Sequence, residues 1–160
     1  MADEEIPLRH FSFQSRPIPV PGDLRIAWRV ALILLMLGHS RSNRASLAKL
    51  HILNDAIRSS QHQRLRTVVG GPASTLPWNL RVEPAFARAI DFVIGEKFAA
   101  WTKVSGRTAL QLTASGIEAF RSLLELDDTL TAERAIIAEY AKAISEGLIA
   151  NLLGEGRSAA

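Results

Sequence analysis

The residues in this chain that could do chemistry are few and scattered. Four histidines, His10, His39, His51 and His62, stand in four different local settings, and none is paired at metal-ligand spacing. A lone histidine is ordinarily a polar surface or core residue rather than a ligand. There is no cysteine, which excludes disulfides, thiolate zinc sites, iron–sulfur clusters and cysteine nucleophiles. The sequence contains no Gly-rich phosphate loop with its lysine and no nucleophile elbow. Asp127-Asp128 is the one adjacent acidic pair inside the expected folded body. It falls at a helix end, where a solvated turn is its ordinary role, and nothing nearby supplies the tuned environment that paired catalytic carboxylates need. The residue types therefore point away from an enzyme, and no catalytic residue, metal or cofactor is expected.

What remains is charge. The 160-residue chain carries a formal net charge of +3. Residues 9–66 hold ten Lys and Arg against Asp23 and Asp55, whereas residues 117–160 hold four against eight acids. Such asymmetry fits two surfaces with different partners; the plainer reading is two solvated faces. Arg64 and Arg66 on a short helix, with Lys103 and Arg107 flanking a hairpin turn, are the candidate DNA contacts. Gln61, Gln63 and Thr67 are the short helix's best groups for base edges. Such a set can hold phosphates without reading sequence. Lys103 and Arg107 are equally the charges that keep a hairpin tip soluble.

The elements that would position these groups are legible along the chain. Residues 1–22 read as an extended arm. Pro17-Ile18-Pro19-Val20-Pro21 cannot be helical, and Phe11 and Phe13 give the arm side chains to dock with. A first helix is expected at 23–38, capped by Asp23 and ended by Gly38. Past Arg25 and Arg29 it is apolar on every side from Val30 to Leu37, so it is either central in the core or buried by another subunit. After a polar turn, a second helix at 45–59 carries Leu47, Leu50 and Ile57 on one face and turns Lys49, Asp55 and Arg58 to water. A short basic helix follows at 61–69, then a loop to residue 81. Glu83-Pro84 opens a helix with Phe86, Ile90 and Val93 in a stripe. Residues 98–112 read as a β-hairpin turning at Ser105-Gly106. Thr113 caps a helix at 114–126, whose Phe120 and Leu124 are expected to meet Phe86 and Ile90 in the core. A last helix, 131–153, bears the stripe Ile137, Tyr140, Ile144 and Leu148, more apolar surface than a helix packed on one side needs. That stripe reads as a partner interface.

The order of helices followed by a hairpin and a closing helix predicts a mainly α, winged-helix-like domain over 23–126 with one β-hairpin. The arm 1–22 precedes it, and an amphipathic segment at 127–153 and a tail at 154–160 follow. Leu112-Thr113-x-x-Gly116 is similar to the wing exit of many winged-helix proteins, with threonine as the cap and glycine allowing close packing.

Residues 17–126 resemble a narrower group. The Pro-rich entry, Leu24-Arg-Ile-Ala-Trp-Arg29, Ser46-Leu47-Ala48-Lys49-Leu50, and Arg81-Val-x-Pro84 with Ala89-Ile90 look like the middle component of bacterial three-component ABC-ATPase systems, related to the small subunit of Lamassu-type defence complexes. The resemblance implies a non-catalytic accessory subunit. It would bridge an SMC/Rad50-like ATPase and an effector subunit in anti-phage or anti-plasmid defence. It carries over no catalytic or cofactor residue. The alternative, from the charge pattern, is a dimeric winged-helix transcriptional regulator that binds DNA. Either reading implies a cytoplasmic protein. The acidic start, Met1 to Glu5, is unlike a signal peptide. The longest apolar run, Val30 to Leu37, is far short of the ~20 residues of a membrane helix.

If Arg64, Arg66, Lys103 and Arg107 touch DNA, binding is expected to be weak and independent of sequence. Gel shifts should show it collapsing as salt rises, because each phosphate contact releases counterions. A footprint on one operator at physiological salt would instead favour the regulator.

Overall fold

Eighteen residues, Gly22–His39, form a helix, α1, that dictates the rest of the architecture. Every side chain from Leu32 to Leu37 is buried. Three helices wall it in: α4 (Pro84–Gly95), α5 (Ala114–Glu125) and α6 (Thr131–Ala143). Of the two settings the sequence allows for this helix, the centre of the core is the one observed. Gly38 has a specific reason: a Cβ there would overlap the ring of Phe120, which packs across the helix end.

The computed structural model describes residues 22–59, 62–70 and 77–154. The expected arm through residue 21, with Phe11 and Phe13, lies outside the described residues, as do the side chain of Asp23 and the tail beyond Gly154. The structure is mainly helical, with a three-stranded antiparallel sheet in the order β1-β3-β2. The expected hairpin is present as β2 (Ala99–Val104) and β3 (Arg107–Leu112), with Val104 opposite Arg107. Ser105 and Gly106 both take positive φ, 50° and 76°, the backbone a two-residue hairpin turn demands.

The third strand is a correction. β1 (Arg44–Ser46) lies where the sequence suggested a polar turn and a helix start, and pairs Ala45 with Leu110. A three-residue strand carries no periodic signal, and its partner is remote in sequence. α2 (Leu47–Arg58) therefore begins two residues late, with the Ser46 hydroxyl accepting from the Lys49 amide at 3.2 Å. Lys49, expected to face water, is 5% exposed. Asp55 is half-buried and accepts from the Trp78 indole at 3.0 Å. Only Arg58 of the three is exposed. A short helix, α3 (His62–Gly70), follows as expected.

The junction after the hairpin behaves as its sequence suggested. The Thr113 hydroxyl accepts from the Gly116 amide at 3.2 Å. A Cβ on Gly116 would run into the Phe98 carbonyl oxygen. Phe86 and Ile90 are buried and Phe120 packs against the same core, but Leu124 is 38% exposed, a correction to its expected place in that cluster.

The last helix is two helices. Ile144 turns extended (φ −79°, ψ 103°), and α7 (Glu146–Leu152) starts anew with the Ser145 hydroxyl accepting from the Leu148 amide at 3.2 Å. Their apolar stripe is not left for a partner. Ile137, Tyr140 and Ile144 are buried in the chain's own core and Leu148 packs against it, because α6 lies on α1, α2 and α3. Arg134 fastens this segment by donating to the Leu124 and Leu126 carbonyls at 2.8 and 2.6 Å, which satisfies the open end of α5. Residues 127–153 thus share one packed core with the described residues of 23–126. No helix among the described residues is long and apolar enough to cross a membrane.

Deleting residues 129–160 is accordingly expected to abolish cooperative thermal unfolding, rather than merely to release a partner. Each large buried apolar side chain contributes about 1.5–3 kcal/mol, and total domain stabilities are only about 5–15 kcal/mol. A truncated chain that melts like the full one, followed by circular dichroism, would contradict this packing.

Candidate functional site

Three features stand out once the helices are assembled: a buried ionic hub, an apolar groove and a basic cleft.

The hub is Glu83, the residue before Pro84 at the start of α4. A residue in that position ordinarily caps its own helix, yet this carboxylate makes no capping bond. It reaches across to α1 and α2 instead. Arg29 donates to Oε1 from Nε at 3.2 Å and also from Nη2, the Asn54 amide donates to Oε2 at 3.1 Å, and Arg58 pairs with Oε2 at 3.3 Å. The Arg29 and Glu83 side chains are only 14% and 12% exposed. Burial alone would raise the Glu83 pKa, but the hydrogen bonds from Arg29 and Asn54 and the charges of Arg29 and Arg58 outweigh it and hold the carboxyl below its ordinary 4.5. Arg29, one of the few polar residues of α1, is explained by this contact. The hub is structural.

Next to it, Trp78 is buried under α3. Its backbone N–H donates to the Leu152 carbonyl at 2.8 Å, and Arg64 lies over its ring at 4.5 Å while donating to the Pro77 carbonyl at 3.2 Å. Arg107 is half-buried on β3, 4.0 Å from the Glu146 carboxylate. Two of the four cations read as DNA contacts, Arg64 and Arg107, are therefore engaged inside the chain. Arg66 and Lys103 are exposed.

The apolar groove runs between α1, α4 and α5. Ile26, Ala27, Val30, Ala31, Leu34, Phe92 and Leu123 line a space of about 360 Å³. Phe92 is 46% exposed and Ile26 37%. The apolar surplus expected on the last helix is buried in the chain's own core, whereas the surplus expected on the first helix remains in part: among the described residues, no element fully covers the N-terminal half of α1. The signal was present in Phe92, which stands off the Phe86–Ile90–Val93 stripe.

The basic cleft, about 570 Å³, opens between the segment Arg41–Asn43 with β1, the hairpin tip, and the break between α6 and α7. Arg41, Arg44, Lys49 and Lys142 line it, with Glu146 as its carboxylate. Glu146 Oε1 accepts from the Ser46 amide at 3.2 Å. In a capping box that acceptor would come from the third residue of the same helix, a position held here by Lys49. A lysine there was the available hint that the carboxylate arrives from elsewhere. On the side of the Glu83 hub instead, His51 of α2 is buried edge-on to Phe86 at 5.2 Å, and burial holds its pKa below the usual value against the pull of Glu83. Among the described residues, no group of three His, Cys, Asp or Glu is placed to hold a metal ion.

The chain matches no protein-family model, no curated protein and no solved structure.

Glu83→Gln is expected to lower stability at neutral pH by about 2–4 kcal/mol, since it leaves the Arg29 guanidinium buried without its counter-charge. The deficit should depend on pH. A carboxyl with a depressed folded pKa stabilises above its unfolded value and loses that contribution as pH falls through the folded one. Urea melts of the two chains should thus converge as pH drops below about 4.5. A deficit constant with pH would remove the hub from the account.

Proposed function

We propose that this chain is a non-catalytic, winged-helix-like accessory subunit of a cytoplasmic bacterial complex, in which it bridges an SMC-like ATPase and an effector subunit in anti-phage or anti-plasmid defence. The element order supports the winged-helix part of the reading. A strand stands between α1 and α2, and the last helix before the hairpin, α4, leads straight into β2 with β3 closing the proposed wing. The likeness of Ser46–Leu50 and Arg81–Pro84 to the middle components of three-component ABC-ATPase systems supports the assignment to that group.

The observation that carries the interaction role is the apolar groove. It fits a partner segment that inserts large aliphatic or aromatic side chains over Ile26 and beside Phe92. Exposed aromatics at the centre of an apolar patch are typical anchors of protein interfaces. The regulator reading finds less support. Among the described residues of α3, the helix that would read bases, Gln63 and Thr67 are the exposed groups suited to base edges, and Arg64 and Arg107 are held within the chain.

The test is purification of the native assembly through this chain. An ATPase with a coiled-coil insertion is expected to co-purify. Ile26→Glu and Phe92→Glu should lose it while shifting stability by no more than about 1 kcal/mol, since both sites are partly exposed. A monomeric chain without an ATPase partner, or variants that retain the partner fully, would overturn the reading.

A further inference from the structure

The basic cleft is built from parts of the chain far apart in sequence, and its composition is one-sided. Arg41 and Arg44 flank the turn into β1, Lys142 lies in the last turn of α6, and Lys49 projects from the first turn of α2. The first three are exposed. Lys49 is 5% exposed, yet no hydrogen bond or ion pair to its ammonium is made among the described residues. The charge acting on it is that of Glu146, and this carboxylate is occupied on one oxygen by the Ser46 amide and lies 4.0 Å from Arg107 on the other.

Burial lowers the Lys49 pKa, and Glu146 restores only part of the loss. A lysine that serves only solubility would keep its ammonium in bulk water and its stem along the surface. A lysine that serves only the core would be paired. Lys49 does neither. It lines a space of about 570 Å³ shared with three further cations, well within the range of small-ligand sites.

We propose that the cleft between β1, the hairpin tip and the α6–α7 break is a phosphate-binding site in which Lys49 and Arg44 are the direct ligands and Arg41 and Lys142 the outer charges. The chemistry selects a phosphoryl group over a simple carboxylate. Four cations facing one carboxylate leave a surplus that a multiply charged group neutralises best, and guanidinium groups match phosphate oxygens in pairs. The phosphate could belong to a phosphorylated small molecule or to a nucleic-acid backbone; the shared group is what the cleft recognises. The site is independent of the accessory-subunit reading, since it uses neither the apolar groove nor the partner.

Calorimetric titration of the full chain at about 150 mM salt, with inorganic pyrophosphate, ATP and a short duplex DNA as probes, tests the proposal. At least one probe should bind, and Lys49→Gln and Arg44→Gln should each weaken it by about tenfold. Arg88→Gln, an exposed cation on α4, should bind as the unaltered chain does. Pyrophosphate or ATP that duplex DNA cannot displace would identify a small-molecule phosphate; duplex binding alone, lost in the same two variants, would identify a backbone phosphate. Arg44 is exposed, so its variant keeps the test decisive even if Lys49→Gln melts early. Failure of all three probes, unchanged affinity in Arg44→Gln, or an equal loss in Arg88→Gln would overturn the proposal.

Discussion

A helix that is apolar around most of its circumference is stable in water only when other elements cover it, and α1 imposes that demand on everything else in the molecule. Burying Leu32 through Leu37 takes α4, α5 and α6 together. The C-terminal helices are recruited for the same reason: without them one flank of α1 would face water. The hydrophobic effect is not directional, so burial alone would leave the covering helices free to slide. Polar contacts of defined geometry set their positions.

Those contacts share a pattern. Side chains that would ordinarily serve their own helix serve another one. Glu83 leaves its own helix start uncapped and ties α1 to α2. Glu146 takes the acceptor role that a capping box would give to the third residue of α2. Arg134 of α6 closes the carbonyl end of α5. The Glu83 and Glu146 bonds span elements distant in sequence and occupy part-buried groups that would be costly to leave unpaired, whereas Arg134 joins neighbouring elements at the surface. The arrangement locks the order of the helices and couples the C-terminal segment to the sheet.

This locking leaves two surfaces with distinct chemistry. Among the described residues, the N-terminal half of α1 is incompletely covered and, with Phe92 and Leu123, lines an apolar groove. The cleft at β1 and the α6–α7 break gathers cations that the packing has brought together.

The sequence by itself determined the local elements. The apolar run of α1, Pro84 at a helix start, Ser105-Gly106 at the turn and Thr113-x-x-Gly116 at the strand–helix junction each act through the backbone of their own neighbourhood, so their outcome could be read without the fold. Tertiary structure alone decided where each face went. β1 exists because Ala45 pairs with Leu110, Ile137 and Tyr140 are buried where α6 packs on α1, α2 and α3, and Lys49 is largely buried where β1, the hairpin tip and the α6–α7 break meet. Arg64 and Arg107, alike in sequence to Arg66 and Lys103, were separated from them by what lay within reach: an indole ring for one and a carboxylate for the other. The physical reason is the range of the forces. Backbone preferences and caps act over a few residues, whereas burial and charge pairing depend on which distant residues the folded chain sets side by side.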